Sequence, residues 1–254
     1  MISFSVVIPC YNSEKTIETC VRSVFSQHYL PKEIIVIDDG SHDKSLSILK
    51  NLQQECPKSV LFLVITQENS GPSTARNNGV KKASSEWIAF LDSDDFWTDN
   101  NLNIAKNFIE NDQKGYSLIG KKSNQKSFSE VTFNQLLFKN AFQTSSTIVK
   151  KECLLKYPFN EKQKYSEDYR TWLLICYEYP TCTINGINAH PVINRKYSFS
   201  GGGLSSKLWE MEKGELNNYC FLKKTNRISV CKLIIISSYS MFKYGIRLLS
   251  KLFR

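Results

Sequence analysis

Up to residue 95 the chain repeats one pattern, in which a short apolar run ends in a polar cluster and is followed by a stretch with apolar residues at helical spacing. Phe4-Ser5-Val6-Val7-Ile8-Pro9 is largely apolar, centred on Val-Val-Ile and stopped by Pro9, as a buried strand is, while Ile17, Val21, Val24 and Phe25 predict a helix over 13–27. A second strand over 33–37 runs into Asp38-Asp39-Gly40-Ser41, and Leu46, Ile48, Leu49 and Leu52 mark the next helix. A third strand over 60–65 leads to the turn Asn69-Ser70-Gly71-Pro72, after which Ser73 is expected to cap a helix containing Ala75, Val80 and Ala83. The fourth strand, over 86–91, delivers Asp92-Ser93-Asp94-Asp95. Strands this apolar, alternating with helices, predict a Rossmann-like α/β fold: a mostly parallel central sheet flanked by helices on both faces. Ligands bind such sheets beyond the carboxyl ends of the strands. The clusters Pro9-Tyr11-Asn12, Asp38 to Ser41, Asn69-Gly71-Arg76 and Asp92 to Asp95 all follow strand ends, so they are expected to meet on one rim.

Past residue 100 the pattern loosens. An amphipathic segment covers 101–109, and the polar stretch 121–130 reads as a loop. Tyr169, Trp172, Leu173 and Cys176 then mark a helix with Ser166 as its N-cap and Glu167 and Asp168 in its first turn, where the helix dipole favours acids. At 254 residues and 41% apolar content the chain can bury a large core. Its eight cysteines show no CxxC pair, so neither a disulfide framework nor a zinc site is expected. Met1-Ile2-Ser3-Phe4-Ser5 lacks the basic lead of a signal peptide, and a cytoplasmic location is expected.

The net charge of +9 suggests nucleic acid at first sight, but eight basic residues from Lys223 onward, with no acid among them, account for nearly all of it. The body of the chain is close to neutral, and nucleic-acid binding is not expected. Within 229–254, Lys232, Ser240, Lys243, Arg247, Ser250 and Arg254 share one arc of a helical wheel, while Tyr239, Phe242, Ile246, Leu249 and Phe253 point elsewhere. Lys232 and Lys243 interrupt the apolar run too often for a membrane span of about 20 residues. A basic amphipathic helix lying on an anionic leaflet is one expectation. A helix packing its apolar side on the rest of the protein is the other.

Three acids within four positions at the end of a buried strand repel one another, so either a positive charge sits there or the segment is an acidic turn capping a helix near Phe96. The companion motifs decide. Val6-Val-Ile-Pro-Cys-Tyr-Asn12, Ile35-Val-Ile-Asp-Asp-Gly-Ser41, Asn69-Ser-Gly-Pro-Ser-Thr-Ala-Arg-Asn-Asn-Gly79, Phe90-Leu-Asp-Ser-Asp-Asp95 and Ser166-Glu-Asp168 stand in order and in register over residues 4 to 205. Together they resemble the inverting glycosyltransferases of family 2, with the GT-A fold. The resemblance implies a sugar moved from a nucleotide diphosphate donor, UDP-linked, to an acceptor hydroxyl, in cell-surface polysaccharide synthesis on saccharide or lipid-linked saccharide acceptors, at the inner face of the cell membrane.

By that resemblance Asp92-Ser93-Asp94 is the DxD motif, with Asp94 as ligand of a divalent ion, manganese or magnesium, and Asp92 reaching the ribose or the metal through water. Asp95 faces the sugar or is structural. Asp39 is placed on uracil, with Pro9, Tyr11 and Glu14 lining the base and ribose pocket, although one acid of Asp38-Asp39 also suits a helix cap. Arg76 engages phosphate, organises the acids, or forms a surface ion pair. Asp168 is the catalytic base, supported by Glu167, where simple capping is the plainer reading. Arg195, Tyr197 and Gly201-Gly202-Gly203-Leu204-Ser205 resemble a loop folding over the diphosphate, and His190 is expected to be structural. The expected division is a GT-A domain over 1–222, with a nucleotide-binding half to about 100 and an acceptor half after it, followed by the helical tail 223–254. A nucleotidyltransferase is disfavoured because Ile8-Pro-Cys-Tyr-Asn12 has neither a Gly-rich loop nor a basic residue. A non-catalytic peripheral membrane protein with a degenerate GT-A fold is disfavoured by the acids kept at Asp39, Asp92, Asp94 and Asp168.

Overall fold

The computed structural model describes residues 2–122, 128–193 and 207–252. Its first half builds the four strands expected: β1 (Phe4–Cys10), β2 (Glu33–Asp38), β3 (Leu61–Thr66) and β4 (Trp87–Phe90), separated by α1 (Ile17–Phe25), α2 (Ser45–Glu55) and α3 (Pro72–Lys82). β3, β2, β1 and β4 lie side by side and parallel, in register from Ser5 opposite Glu33 to Cys10 opposite Asp38. Successive residues of β1 feed opposite faces. Val6 and Ile8 pack with Ile17, Val21 and Leu49 on one side, and Val7 packs with Ala75 and Val80 on the other. Both faces are therefore covered, as continuous apolar strands require.

Three local details differ from the sequence reading. Ser13 to Thr16 form a turn closed by Thr16 N and Ile17 N donating to Ser13 O, so α1 starts later than residue 13. Pro72 occupies the first turn of α3 and Gly71 its cap position, which leaves Ser73 inside the helix and not capping it. No helix starts near Phe96. Asp95–Trp97 is instead a short strand, β5, and the next helix is α4 (Asn101–Glu110).

The second half completes an eight-stranded sheet with β6 (Leu118–Lys121), β7 (Phe128–Glu130), β8 (Ile148–Lys150) and β9 (Thr181–Ile184), in the order β3-β2-β1-β4-β8-β6-β9-β7. The stretch 121–130, expected to be a loop, thus contains the end of β6 and an edge strand that pairs antiparallel with β9. β10 (Ala189–Pro191) pairs with β5 and sets His190 against the Phe96 ring, 5.6 Å between centroids, in keeping with a structural role. α5 (Phe133–Phe138), α6 (Lys151–Lys156) and α7 (Glu167–Glu178) cover the sheet. A mainly parallel central sheet flanked by helices is the GT-A architecture expected from the sequence.

α8 (Leu208–Lys224) and α9 (Val230–Leu252) pack against each other. The tail is a helix, but it packs its polar arc on the protein, which reverses the expectation that its apolar side would do so. Ser240 Oγ and Arg247 Nη2 reach the fully buried Glu212 at 2.6 and 2.9 Å, and Lys243 Nζ reaches Glu215 at 3.2 Å. The polar arc is thus turned inward, because α8 offers acids where it lands. Ile234, Ile235, Tyr239, Phe242, Ile246 and Leu249 point outward, Phe242 being 66% exposed.

One close approach fixes α3 on the sheet. A Cβ on Gly79 would lie 2.4 Å from Val7 Cγ1 on β1, closer than packed atoms allow. Gly79→Ala is therefore expected to lower stability by about 1–3 kcal/mol in urea unfolding. An unchanged midpoint would show that α3 does not depend on this contact.

Candidate active site

Beyond the carboxyl ends of β1, β2, β3 and β4 lies a cleft of about 1120 Å³ lined by Pro9, Tyr11, Glu14, Asp39, Arg76, Asp92, Ser93 and Asp94. The four polar clusters do meet on one rim. Pro9 helps to open it: the sheet bond from Leu91 N to Val7 O, 3.2 Å, is the last on that side of β1, since Pro9 has no N–H to continue the ladder.

The loops at the strand ends are tied to one another. Asn12, in the left-handed region at φ 47, donates from its N–H to Ser41 Oγ at 3.0 Å and accepts from His42 N at 2.9 Å. Glu14 accepts from Lys44 N at 3.1 Å, and its own N–H donates to Asp43 at 3.0 Å. Asp39 accepts from Gln67 Nε2, Ser70 N and Gly71 N at 2.7, 2.8 and 2.8 Å, which anchors the turn before α3. Those three bonds leave about one of its four lone-pair sites for a ligand. Asp38 points away from the cleft, where one carboxylate oxygen is buried without a partner. Ser13 and Ser93 share a hydrogen bond of 2.8 Å, joining the β1 loop to the acids after β4.

Arg76 on α3 sits at the centre and is 6% exposed. Its Nη2 donates to Asp92 at 2.7 Å and its Nη1 to Glu167 at 3.1 Å. Of its three expected roles the structure shows the organiser of acids. A surface ion pair is excluded by its burial, and both of its Nη groups are engaged by carboxylates. Burial works against its charge, but Asp92 and Glu167 outweigh that and raise its proton affinity. Asp95, by contrast, is buried in β5 and does not line the cleft.

Glu167 and Asp168 open α7. Glu167 lines the cleft, whereas Asp168 is half-buried beside it, accepting from Thr144 Oγ1 at 3.0 Å and from Tyr169 N at 2.7 Å. Burial and the neighbouring Asp168 charge push the Glu167 carboxyl up to about 7, and burial raises Asp168 as well, with Arg76 opposing both. Asp168 is therefore a carboxylate made more basic than usual, next to the donor side of the cleft.

Two residues that hold the site's acids, Thr144 and Ser145, carry no signal in the sequence. Thr144 and Ser145 lie in one 3₁₀ turn, and Ser145 Oγ donates to Asp92 at 3.1 Å, so this turn holds both Asp92 and Asp168. Asn77, next to Arg76, binds the backbone N–H and C=O of Phe159 at 3.0 and 2.8 Å and fixes the segment that leads into the cleft wall Glu161 to Lys164. Ser166 is at the cap position of α7, as expected, yet its side chain does not cap the helix. It adopts φ 56 and donates from Oγ to Met211 O of α8 at 3.1 Å, while Asn218 Nδ2 donates to Ser166 O at 2.8 Å. Arg195, Tyr197 and Gly201 to Ser205 lie outside the described residues.

The model of the Glycosyl transferase family 2 matches residues 5–170. The chain belongs to that family. The match bears out the glycosyltransferase reading over the nucleotidyltransferase one. An uncharacterised glycosyltransferase of Haemophilus influenzae is 30% identical over 94% of this chain and 96% of its own. The UDP-Glc:alpha-D-GlcNAc-diphosphoundecaprenol beta-1,3-glucosyltransferase WfgD of Escherichia coli is 34% identical over 80% of this chain and 79% of its own. Among solved structures, residues 1–349 of S. aureus TarS superpose with TM-score 0.69 at 21% identity, over 94% of this chain and 71% of that one, and this chain spans 39% of a longer TarS structure. The mannosyltransferase PcManGT of Pyrobaculum calidifontis, solved with GDP-Man and Mn2+, gives TM-score 0.69 at 17% identity, over 97% of this chain and 74% of that one. TarS has also been solved with UDP and with UDP-GlcNAc. These structural likenesses establish the GT-A fold of this family 2 glycosyltransferase.

The start of α7 rests on a glycine of α8. A Cβ on Gly214 would stand 2.3 Å from Tyr165 O. Gly214→Ala is expected to shift the start of α7 and cut the sugar-transfer rate by about 100-fold, the cost of roughly an ångström of misplacement, with UDP affinity retained. Steady-state kinetics beside UDP calorimetry checks this, and an unchanged transfer rate would contradict it.

Proposed function

We propose that the protein transfers a sugar with inversion from a UDP-linked donor to an acceptor hydroxyl, in the synthesis of a cell-surface polysaccharide. The observation that carries this reading is the Arg76 bridge, which ties the donor acid Asp92 to Glu167, the neighbour of Asp168, at one end of the cleft. The UDP and UDP-sugar complexes of TarS and the glucosyltransferase activity of WfgD support the donor class, either a hexose or an N-acetylhexosamine.

In this mechanism the cleft orients the donor so that its anomeric carbon faces Asp168. The acceptor oxygen attacks that carbon, its proton passes to Asp168, and the bond to the diphosphate breaks with its electron pair leaving on UDP. Pro9, Tyr11 and Glu14 line the base and ribose end, with the spare acceptor site of Asp39 turned to a base N–H. Arg76 holds Asp92 and Glu167 in place, and Ser93 is held by Ser13. A divalent ion, manganese or magnesium, would be held by Asp94 with Asp92 beside it, and when bound it neutralises charge on the departing diphosphate. The donor set fits such an ion: two carboxylates two residues apart line the cleft, and a hard cation completed by phosphate oxygens needs no all-protein cage.

We further propose that the enzyme works on a membrane surface through α9. No helix among the described residues is long and apolar enough to cross a membrane. The support for surface attachment is the outward aliphatic and aromatic face of α9. Because Lys243 and Arg247 are turned inward, attachment rests on apolar insertion more than on charge. The protein is expected to co-sediment with lipid vesicles and stay bound in 1 M salt (roughly a 3 Å screening length), and Phe242→Glu with Ile246→Glu to abolish binding. Release by salt alone would show that the basic residues carry the contact.

The catalytic assignment makes two further predictions. Asp168→Asn is expected to lose about 100- to 10,000-fold in transfer rate while still binding UDP with metal, and full retention of transfer would remove Asp168 from the mechanism. Raised carboxyls lose the base form as pH falls, so the acid limb of kcat/KM is expected near neutrality, well above the ordinary carboxylate range. Glu167→Gln removes one of the two coupled acids and is expected to move that limb to lower pH. A limb near pH 4 in the unaltered enzyme (about the free carboxylate value) would contradict the burial of the pair.

A further inference from the structure

On the other side of the loop that walls the donor cleft is a second cleft of about 520 Å³, between that loop, α7 and α8. Its wall holds a cation that the fold does not neutralise. Arg170, two residues beyond Asp168, is half-buried, donates from Nε to Asn218 Oδ1 at 2.9 Å, and lies 4.7 Å from the centroid of the Phe221 ring. No carboxylate pairs with it among the described residues. Burial alone lowers its proton affinity, whereas at Arg76 two acids more than offset burial. Lys162, Lys164 and Lys213 line the same cleft, and the one acid there, Glu210, is already bound to Lys213 at 2.7 Å. Four cations thus face one carboxylate.

A desolvated guanidinium without a counter-charge is costly, and the group that best matches its fork is a phosphate or carboxylate. We propose that this second cleft is the acceptor's anionic subsite and takes a phosphate group borne by the acceptor, an inference that rests on the glycosyltransferase reading above. Two features assign the anion to the acceptor. Lys162, Gln163 and Lys164 line both clefts, so the second one adjoins the donor site across a single loop. Asn218, which accepts from Arg170, also donates to Ser166 O at the start of the helix that carries Asp168. A phosphate held by Arg170 therefore sits against the support of the catalytic base, as one attached to the attacking sugar would. A phosphate on a lipid carrier and one on a polyol chain share this chemistry.

The test begins with calorimetric titration of inorganic phosphate into the full-length protein saturated with UDP and magnesium, so that the donor cleft is filled. Phosphate is expected to bind, and Arg170→Gln and Lys213→Ala are each expected to weaken it about tenfold or more without changing UDP affinity. Transfer is then compared on one sugar presented as a short alkyl diphosphate, as a polyol phosphodiester and as a neutral alkyl glycoside. Both variants should raise KM for a phosphate-bearing acceptor and leave KM for the donor alone, and whichever phosphate form is used identifies the source. Phosphate that does not bind the UDP-loaded protein, or that binds both variants equally well, overturns the subsite. A loss of transfer that is equal for the neutral acceptor assigns Arg170 to loop support and overturns it too. Absence of UDP binding would instead overturn the donor reading, so the two failures are distinguishable. Should Arg170→Gln fold poorly, Lys213→Ala on the surface of α8 carries the same outcomes.

Discussion

The site depends on one buried cation. Arg76 lies among acids that the fold brings together from two directions: Asp92 from the end of β4, and Glu167 and Asp168 from the start of α7. Burial pushes the Glu167 and Asp168 carboxyls up, and Arg76 opposes that shift at both. With Arg76, the acids stay in place at a distance from bulk water. The question raised by three acids at a strand end thus has part of its answer inside the protein, where Arg76 pairs with Asp92. The metal proposed at Asp94 would supply further positive charge.

Around this cation the structure divides labour between rigid and adjustable parts. The parallel strands fix one side of the cleft, because their end loops are hydrogen-bonded to one another through Asn12, Asp39 and Ser13. The start of α7 is held more locally, by the Thr144 to Ser146 turn and by α8 under Tyr165 and Ser166. α8 in turn carries α9, whose polar arc is locked onto Glu212 and Glu215. The helix whose outer face we place on the membrane is therefore one helix away from α7, which carries the proposed base, an arrangement suited to acceptors presented at a surface.

The strands and the donor acids were legible in the sequence because their signals are local. Val6 to Ile8 and Ile34 to Ile37 are continuous apolar runs, and each is followed within a few residues by the polar group it delivers. β7 was not legible, since Phe128 to Glu130 is a three-residue edge strand set in polar sequence and stabilised by its pairing with β9. Thr144 and Ser145 act only through partners 24 and 53 residues away, so no spacing announces them. Gly214 resembles any other helical glycine until the carbonyl of Tyr165 is placed against it. The tail shows a different limit. Periodicity separates its polar and apolar arcs correctly, but which arc turns inward is decided by the acids of α8, and a helical wheel holds no information about a neighbour.

The central claim is that Arg76 couples the donor acids to the acids of the base-bearing helix. A double-mutant cycle in urea unfolding, with Arg76→Met, Glu167→Gln and the pair together, tests it most directly. A buried, hydrogen-bonded charge pair predicts a coupling of at least about 1.5 kcal/mol, with the double variant less destabilised than the sum of the two single ones. Effects that add to within about 0.5 kcal/mol would contradict the account, because Arg76 would then be packed beside Glu167 without holding it.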